Sequence, residues 1–318
     1  MSALRLLGAD ELERAGVPIA DAMAAIESGL AALGRNAAQQ PKPPVLAPEA
    51  GGFFQPIAAA LPDDDIACVN WLTYHPGNPA RGLPHSGGVL VLNRFTTGEP
   101  LCVMDGIWVS HRRTGYIAGL GVKYLASGFH DVALIGPGAI AAFAIEAIHA
   151  LAPIQGELRV CARRPESAQR FCEQTSARLG IRCVPHADPR NAVAGARLVL
   201  TSTTHAGAPF LAPDWLTGGT LVIMIDRLRV VTRELIAQAA RIVTNSRESL
   251  ASWGLADRAA SCETLPEIIA AEQQVAATAN ADGITLYDAG GLAVADLAFA
   301  ALLWRRLQEK DARPPGTR

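Results

Sequence analysis

The residues best suited to chemistry form a turn. A short apolar run, Val132–Ile135, leads into Gly136-Pro137-Gly138-Ala139-Ile140-Ala141 and then into a helical stretch, which is a G-x-G-x-x-A pattern in a strand-turn-helix setting. Gly136 permits the tight turn, Gly138 lets the backbone approach a pyrophosphate, and the small Ala141 lets the helix pack closely on a sheet. Free N–H groups and the dipole at the start of that helix favour an anion. Glycine-rich turns also arise for steric reasons alone, and the strand-helix-strand context is what makes this one a candidate dinucleotide site.

The next apolar strand ends at Ala162, where an NAD site places the acid that bonds the ribose 2′-OH, and Arg163 and Arg164 follow. No acid there repels a 2′-phosphate, and a guanidinium offers paired donors to one, so NADP(H) is expected ahead of NAD(H). The competing reading is two solvated loop arginines. A third strand ends in hydroxyl residues, which puts Thr201, Ser202 and Thr203 where ligands bind at sheet edges, or where helices are capped. Thr114 and Ile225 complete the expected cofactor-binding set.

The elements that must hold these residues alternate. From residue 113 onward a helix (113–126) is followed by strands at 132–135, 158–162, 182–185, 198–202, 220–225 and 241–244 with helices between them, the rhythm of a parallel sheet covered by helices. Asp188-Pro189 and Pro213-Asp214 read as helix starts. The first third differs. Two helices over 9–34, broken near Gly16 and Pro18, precede a Pro- and Gly-rich stretch (36–65) expected as loop with short strands, then strands at 66–72, 88–93 and 100–105, a mainly antiparallel pattern. Residues 288–310 read as one amphipathic helix, and 311–318 as a disordered tail.

With 318 residues, half of them hydrophobic, the chain is long enough for two domains. A net charge of −2 without a basic cluster argues against nucleic acid as partner and for a small molecule. The six cysteines are scattered, with no CxxC pair and no histidine at ligand spacing, so they read as reduced thiols and no metal site is expected. Neither a signal peptide nor a membrane span is apparent, and a cytoplasmic protein is expected.

Several words of the sequence carry a family resemblance: Pro76-Gly77-Asn78, Gly82-Leu83-Pro84-His85, TGEPL at 97–101, Met104-Asp105-Gly106 and Arg113-Thr114-Gly115, with GVKYLA, IGPGAIA and DAGGLAVADLAFAALLWRR further on. In order and separation these resemble the ornithine cyclodeaminase/mu-crystallin family over nearly the whole chain. The resemblance implies an α/β protein: a Rossmann-type domain at about 116–285, and a split α+β substrate and dimerisation domain from 1–115 completed by 286–318, forming a homodimer. That family includes cyclodeaminases, imine and ketimine reductases, alanine dehydrogenase-like enzymes and a hormone-binding crystallin, so membership leaves the reaction open. Arg113 falls on the family's substrate-carboxylate arginine, with a structural ion pair as the alternative. Lys42 stands near a second carboxylate-binding position, and otherwise reads as an exposed loop residue.

Two departures bear on the reaction. The family's lysine near the reacting carbon is Asn70 here, which hydrogen-bonds but carries no charge. The catalytic aspartate of cyclodeaminases aligns with Leu228, while Asp226 occupies a family glycine position; it reads as a carboxylate beside the nicotinamide or as a structural cap. A reductase needs less: bound nicotinamide, a positioned C=N or C=O, and a proton from His85, Lys42, Asp226 or water. His75 and His111 are weaker candidates, and a loop histidine such as His85 also serves as a hydrogen-bonding strut. The expectation is an NADPH-dependent imine or ketimine reductase or amino-acid dehydrogenase acting on a small carboxylate-bearing imino or amino acid. A cyclodeaminase that recycles its cofactor, and a catalytically silent dinucleotide-binding protein, are the alternatives.

Overall fold

The computed structural model describes residues 4–48, 51–251, 254–255, 262–272 and 282–312, so residues 313–318 of the expected tail lie outside the described residues. In chain order the elements are β1 (Arg5–Leu7), α1 (Ala9–Arg14), α2 (Ile19–Gly34), β2 (Phe53–Leu61), β3 (Ile66–Tyr74), β4 (Ser86–Arg94), β5 (Pro100–Asp105) and α3 (Gly106–Leu125). There follow β6 (Val132–Ile135), α4 (Ala139–Leu151), β7 (Glu157–Cys161), α5 (Pro165–Leu179), β8 (Arg182–His186), α6 (Pro189–Val193), β9 (Leu198–Thr201) and β10 (Leu221–Met224). The chain closes with α7 (Arg233–Gln238), β11 (Arg241–Thr244), α8 (Arg247–Ala251), β12 (Glu263–Thr264), α9 (Leu265–Ala270), β13 (Thr285–Asp288) and α10 (Ala293–Asp311). These elements form two compact units, one from Met1–Arg113 with Leu292–Arg318 and one from Thr114–Gly291.

The first unit is a five-stranded sheet in the order β1-β5-β4-β3-β2, antiparallel except for β1 on β5, with α2 and α10 packed together and α10 against β2, β3 and β4. Strand alternation gives it two faces. The inner row runs Leu7, Met104, Leu90, Asn70 across paired positions, all buried and all apolar but the last. The outer row runs Leu6, Val103, Val91, Val69, with Val89 and Trp71 beside it; Leu6 is 72% exposed, Val89 47% and Trp71 39%.

The second unit is an eight-stranded sheet, parallel throughout, in the order β12-β11-β13-β10-β9-β6-β7-β8. β6, β9 and β10 are buried at every position, as continuous apolar runs covered on both faces should be. From β6 the chain moves outward through β7 and β8, then returns to β9 on the other flank of β6. That reversal opens a crevice at the carboxyl ends of β6 and β9, the usual ligand position in such sheets.

Several elements differ from the sequence reading. Residues 53–61 form a full strand rather than loop with short pieces; Pro56 is tolerated because β2 is an edge strand that need not donate on its free side. α3 begins at Gly106, seven residues earlier than expected, because Asp105 Oδ1 accepts from the N–H groups of Ile107 and Trp108 and so caps it. The final helix starts at Ala293, five residues later than expected, and Asp288 instead ends a strand of the larger sheet, β13, separated from the helix by a segment containing Gly290-Gly291. The Asp188-Pro189 start holds, with Asp188 Oδ1 accepting from Arg190 N–H, whereas Pro213–Trp215 makes only a single 3-10 turn.

Candidate functional site

Gly136 lies just beyond β6 with φ +94°, and a Cβ there would fall 2.4 Å from the Ser202 carbonyl oxygen, so only glycine fits. At Gly138, by contrast, a Cβ would meet nothing within 4 Å: the space above the turn is open. Gly138 is the N-cap of α4 and supplies no side-chain acceptor, which leaves the first-turn N–H groups from Ala139, Ile140 and Ala141 without an intrahelical partner. Ala141 is fully buried against the unit, while Ala139 is exposed and Pro137 and Ile140 are half-buried. The turn is thus a backbone-lined cradle at the sheet's topological reversal.

The opposite rim is set by Asp226. Its Oδ1 accepts from Thr201 Oγ1 at 2.7 Å and its Oδ2 from the Thr203 N–H at 3.1 Å, tying the ends of β9 and β10 together. Burial pushes the Asp226 carboxyl up, and these two donors pull against that shift. Ser202 donates its N–H to Ile135 O at 2.8 Å and Ile225 donates to Thr201 O at 2.8 Å, completing the seam. Beyond Asp226 the backbone turns through two left-handed residues, Arg227 (φ 60°) and Leu228 (φ 59°), and Leu228 packs onto the apolar cluster around Val230, Val231 and Leu235. Both oxygens of Asp226 are therefore engaged as a cap, and Leu228 offers no carboxylate.

At the end of β7, Arg163 and Arg164 are exposed, Arg164 being the N-cap of α5. Ser167, in the first turn of that helix, has a buried Oγ with no hydrogen-bond partner. Thr114 is buried within α3.

Sequence reasoning missed Asp288. It ends β13 and is 1% exposed; Oδ2 accepts from Thr244 Oγ1 at 3.0 Å and Ser249 Oγ at 3.1 Å, while Oδ1 is buried without a partner. Burial pushes its pKa up to about 6, opposed by the Thr244 hydroxyl and the charge of Arg227. The signal was present: an apolar Thr285-Leu286-Tyr287 run ending in an acid before two glycines has the form of a buried strand, not of a helix start.

In the other unit, Asn70 and Arg113 meet through a second unforeseen acid, Asp296. Arg113 Nη2 lies 2.9 Å from Asp296 Oδ2 and donates to Ser110 Oγ at 3.2 Å; Asn70 Nδ2 donates to Asp296 Oδ1 at 3.1 Å and to Gly106 O at 3.2 Å. All three residues are buried, and Arg113 Nε and Nη1 and Asn70 Oδ1 have no hydrogen-bond partner. Burial raises the Asp296 carboxyl while Arg113 opposes the rise. The remaining candidates are not part of this cluster. Lys42 is exposed, and so is His85, whose ring stacks on Tyr74 at 5.9 Å. His75 packs edge-on against Phe54, and His111 is held below its ordinary value by burial and by Arg113 and Arg112. Among the described residues no group of three His, Cys, Asp or Glu is placed to hold a metal, and no helix is long and apolar enough to cross a membrane.

An α/β chain with a parallel dinucleotide-type sheet and a backbone cradle at its reversal belongs to the nicotinamide-cofactor folds. More narrowly, residues 10–311 match the model of the ornithine cyclodeaminase/mu-crystallin family, and the chain belongs to that family. It is 30% identical over 257 residues to a Delta(1)-pyrroline-2-carboxylate reductase of Bacillus cereus, covering 76% of this chain and 78% of that protein. Its fold is similar to the Delta(1)-pyrroline-2-carboxylate reductase of Thermococcus litoralis in complex with NADH and L-proline, with a TM-score of 0.88, 25% identity and coverage of 97% and 98%. It is similar, too, to an archaeal alanine dehydrogenase dimer with bound NAD, with a TM-score of 0.86, 26% identity and 98% of each chain covered.

Proposed function

We propose that this protein is an NADP(H)-dependent reductase or dehydrogenase acting at the C=N or CH–NH group of a small carboxylate-bearing imino or amino acid, and that it works as a homodimer. The observation that carries the reading is the open turn at Gly136–Gly138, with the uncapped start of α4 beside it. Those N–H groups fit a pyrophosphate, and the absence of a Cβ at Gly138 leaves room for it. The nicotinamide, when bound, supplies or takes up hydride. Arg163 and Arg164 hold the 2′-phosphate, with the unpaired Ser167 hydroxyl as a further donor nearby in sequence. The two solved relatives carry NADH and NAD, so the preference for a phosphate rests on residues 162–164 of this chain.

Arg113 binds and orients the substrate carboxylate through the N–H groups that the Asp296 pair leaves unsatisfied. Asn70 cannot donate a proton as an ammonium would, so the imine nitrogen is protonated by water or arrives as an iminium. The cyclodeaminase alternative lacks its carboxylate at Leu228, and Asp226 is committed to Thr201 and Thr203. The apolar outer face of the first unit's sheet, with Leu6, Val89 and Trp71 uncovered, supports the dimer.

The test is absorbance of reduced nicotinamide with NADPH or NADH against cyclic imines and against 2-oxo acids with amines. Consumption of NADPH in preference to NADH with an imine is expected. Ammonia release from a diamino acid without net NADPH use would instead establish the cyclodeaminase, and binding without turnover the silent protein. Changing Arg163 and Arg164 to Ala should weaken NADPH by about 10- to 100-fold and NADH little, on the scale of lost charged hydrogen bonds; equal losses would remove these residues from the 2′-phosphate.

A further inference from the structure

Two of the six cysteines meet on the larger unit. Cys172, in α5, and Cys183, in β8, hold their Sγ atoms 2.8 Å apart, with the Cys183 thiol donating to Cys172. The separation is longer than the ~2.0 Å of a disulfide and needs only a small closure, because helix and strand already face one another. The other four cysteines are buried, and burial pushes Cys68, Cys102, Cys161 and Cys262 up; within the pair the contact lowers Cys172 and raises Cys183, which carries the shared proton. Accessibility also separates the two partners: Cys172 is 4% exposed, whereas Cys183 is reached by solvent on the edge strand of the sheet.

We propose that Cys172 and Cys183 form a reversible intramolecular disulfide by exchange with a low-molecular-weight disulfide. In the singly deprotonated pair the Cys183 proton passes to Cys172 along the existing contact, and the Cys183 sulfur, the one solvent reaches, attacks one sulfur of the small disulfide, breaking its S–S bond and releasing one thiolate. The Cys172 thiolate then attacks the Cys183 sulfur of the mixed disulfide, forming the protein bridge and releasing the second. The two protons of the protein thiols end on the two released thiolates, and the small disulfide takes the two electrons. The bridge pins α5, the helix that begins directly after Arg163 and Arg164, to the exposed edge of the sheet.

The reduced full-length protein incubated with oxidised glutathione tests this. Tryptic peptides should show residues 171–178 joined to 183–190 with two hydrogens lost, and the Tm should rise by a few degrees and fall back with dithiothreitol. Cys172→Ser should retain one glutathione on Cys183, and Cys183→Ser none on Cys172. Absence of the linked peptides, or equal glutathione uptake by the two single variants, would overturn the proposal. Because each serine variant is nearly isosteric, its own Tm under reducing conditions verifies that it is folded.

Discussion

The two units keep buried carboxylates by different means. In the first, Asp296 faces the permanent charge of Arg113 and the amide of Asn70. In the second, Asp226 is held by a hydroxyl and a backbone N–H, and Asp288 by two hydroxyls with one oxygen left unpaired. An ion pair taken from water fails hard when one partner goes, because the other is stranded. A carboxyl among neutral donors has a softer failure: it takes up a proton.

The largest expected effect follows from the first arrangement. Arg113→Ala should cost about 3–5 kcal/mol in urea unfolding, since Asp296 is then buried without its countercharge; a loss no larger than that of a surface substitution would break the contrast between the units. The second arrangement predicts a pH signature. Asp288 titrates near 6 in the fold against 3.8 when unfolded, so the folded state binds the extra proton, and stability falls as pH rises from about 4 to 6, by up to about 3 kcal/mol, then levels off. Comparing wild type with Asp288→Asn across that window isolates the effect; parallel curves would show that the carboxyl is ordinary. For Asp226→Ala, loss of two hydrogen bonds at the seam should cost about 1–3 kcal/mol and weaken dinucleotide binding measured by fluorescence titration. Smallest in stability is Trp71→Glu on the outer face of the first sheet, expected within about 0.5 kcal/mol for the protomer while lowering the mass seen by light scattering.

How far the sequence could be read follows the same division. The cradle at Gly136–Ala141 was legible because strand, turn and helix starts are local signals, and six of the eight strands of the larger sheet because apolar runs alternate with helical ones. The split first unit rested on the family resemblance, since no local pattern ties residues 292–312 to a sheet formed some two hundred positions earlier. Asp296 and Asp288 were hidden for a related reason: their partners, Arg113 and Thr244, are distant in sequence, and a lone acid in an apolar helix looks like any polar position. Pro56 misled because composition speaks against a strand, while only topology shows that its edge is free.

The bend at Arg227 and Leu228 also has a bearing on how the chain can change. Left-handed backbone costs a residue with a Cβ roughly 1–2 kcal/mol, and aspartate and asparagine bear it more easily than leucine. The bend at position 228 is therefore one that suits an acid, and it is held from behind by Asp226 and its two donors. Leu228→Asp would give up apolar contact and recover backbone ease in the same step. Gain or loss of that carboxylate can thus proceed by exchange of one side chain on a pre-bent loop, without rebuilding the strand ends around it.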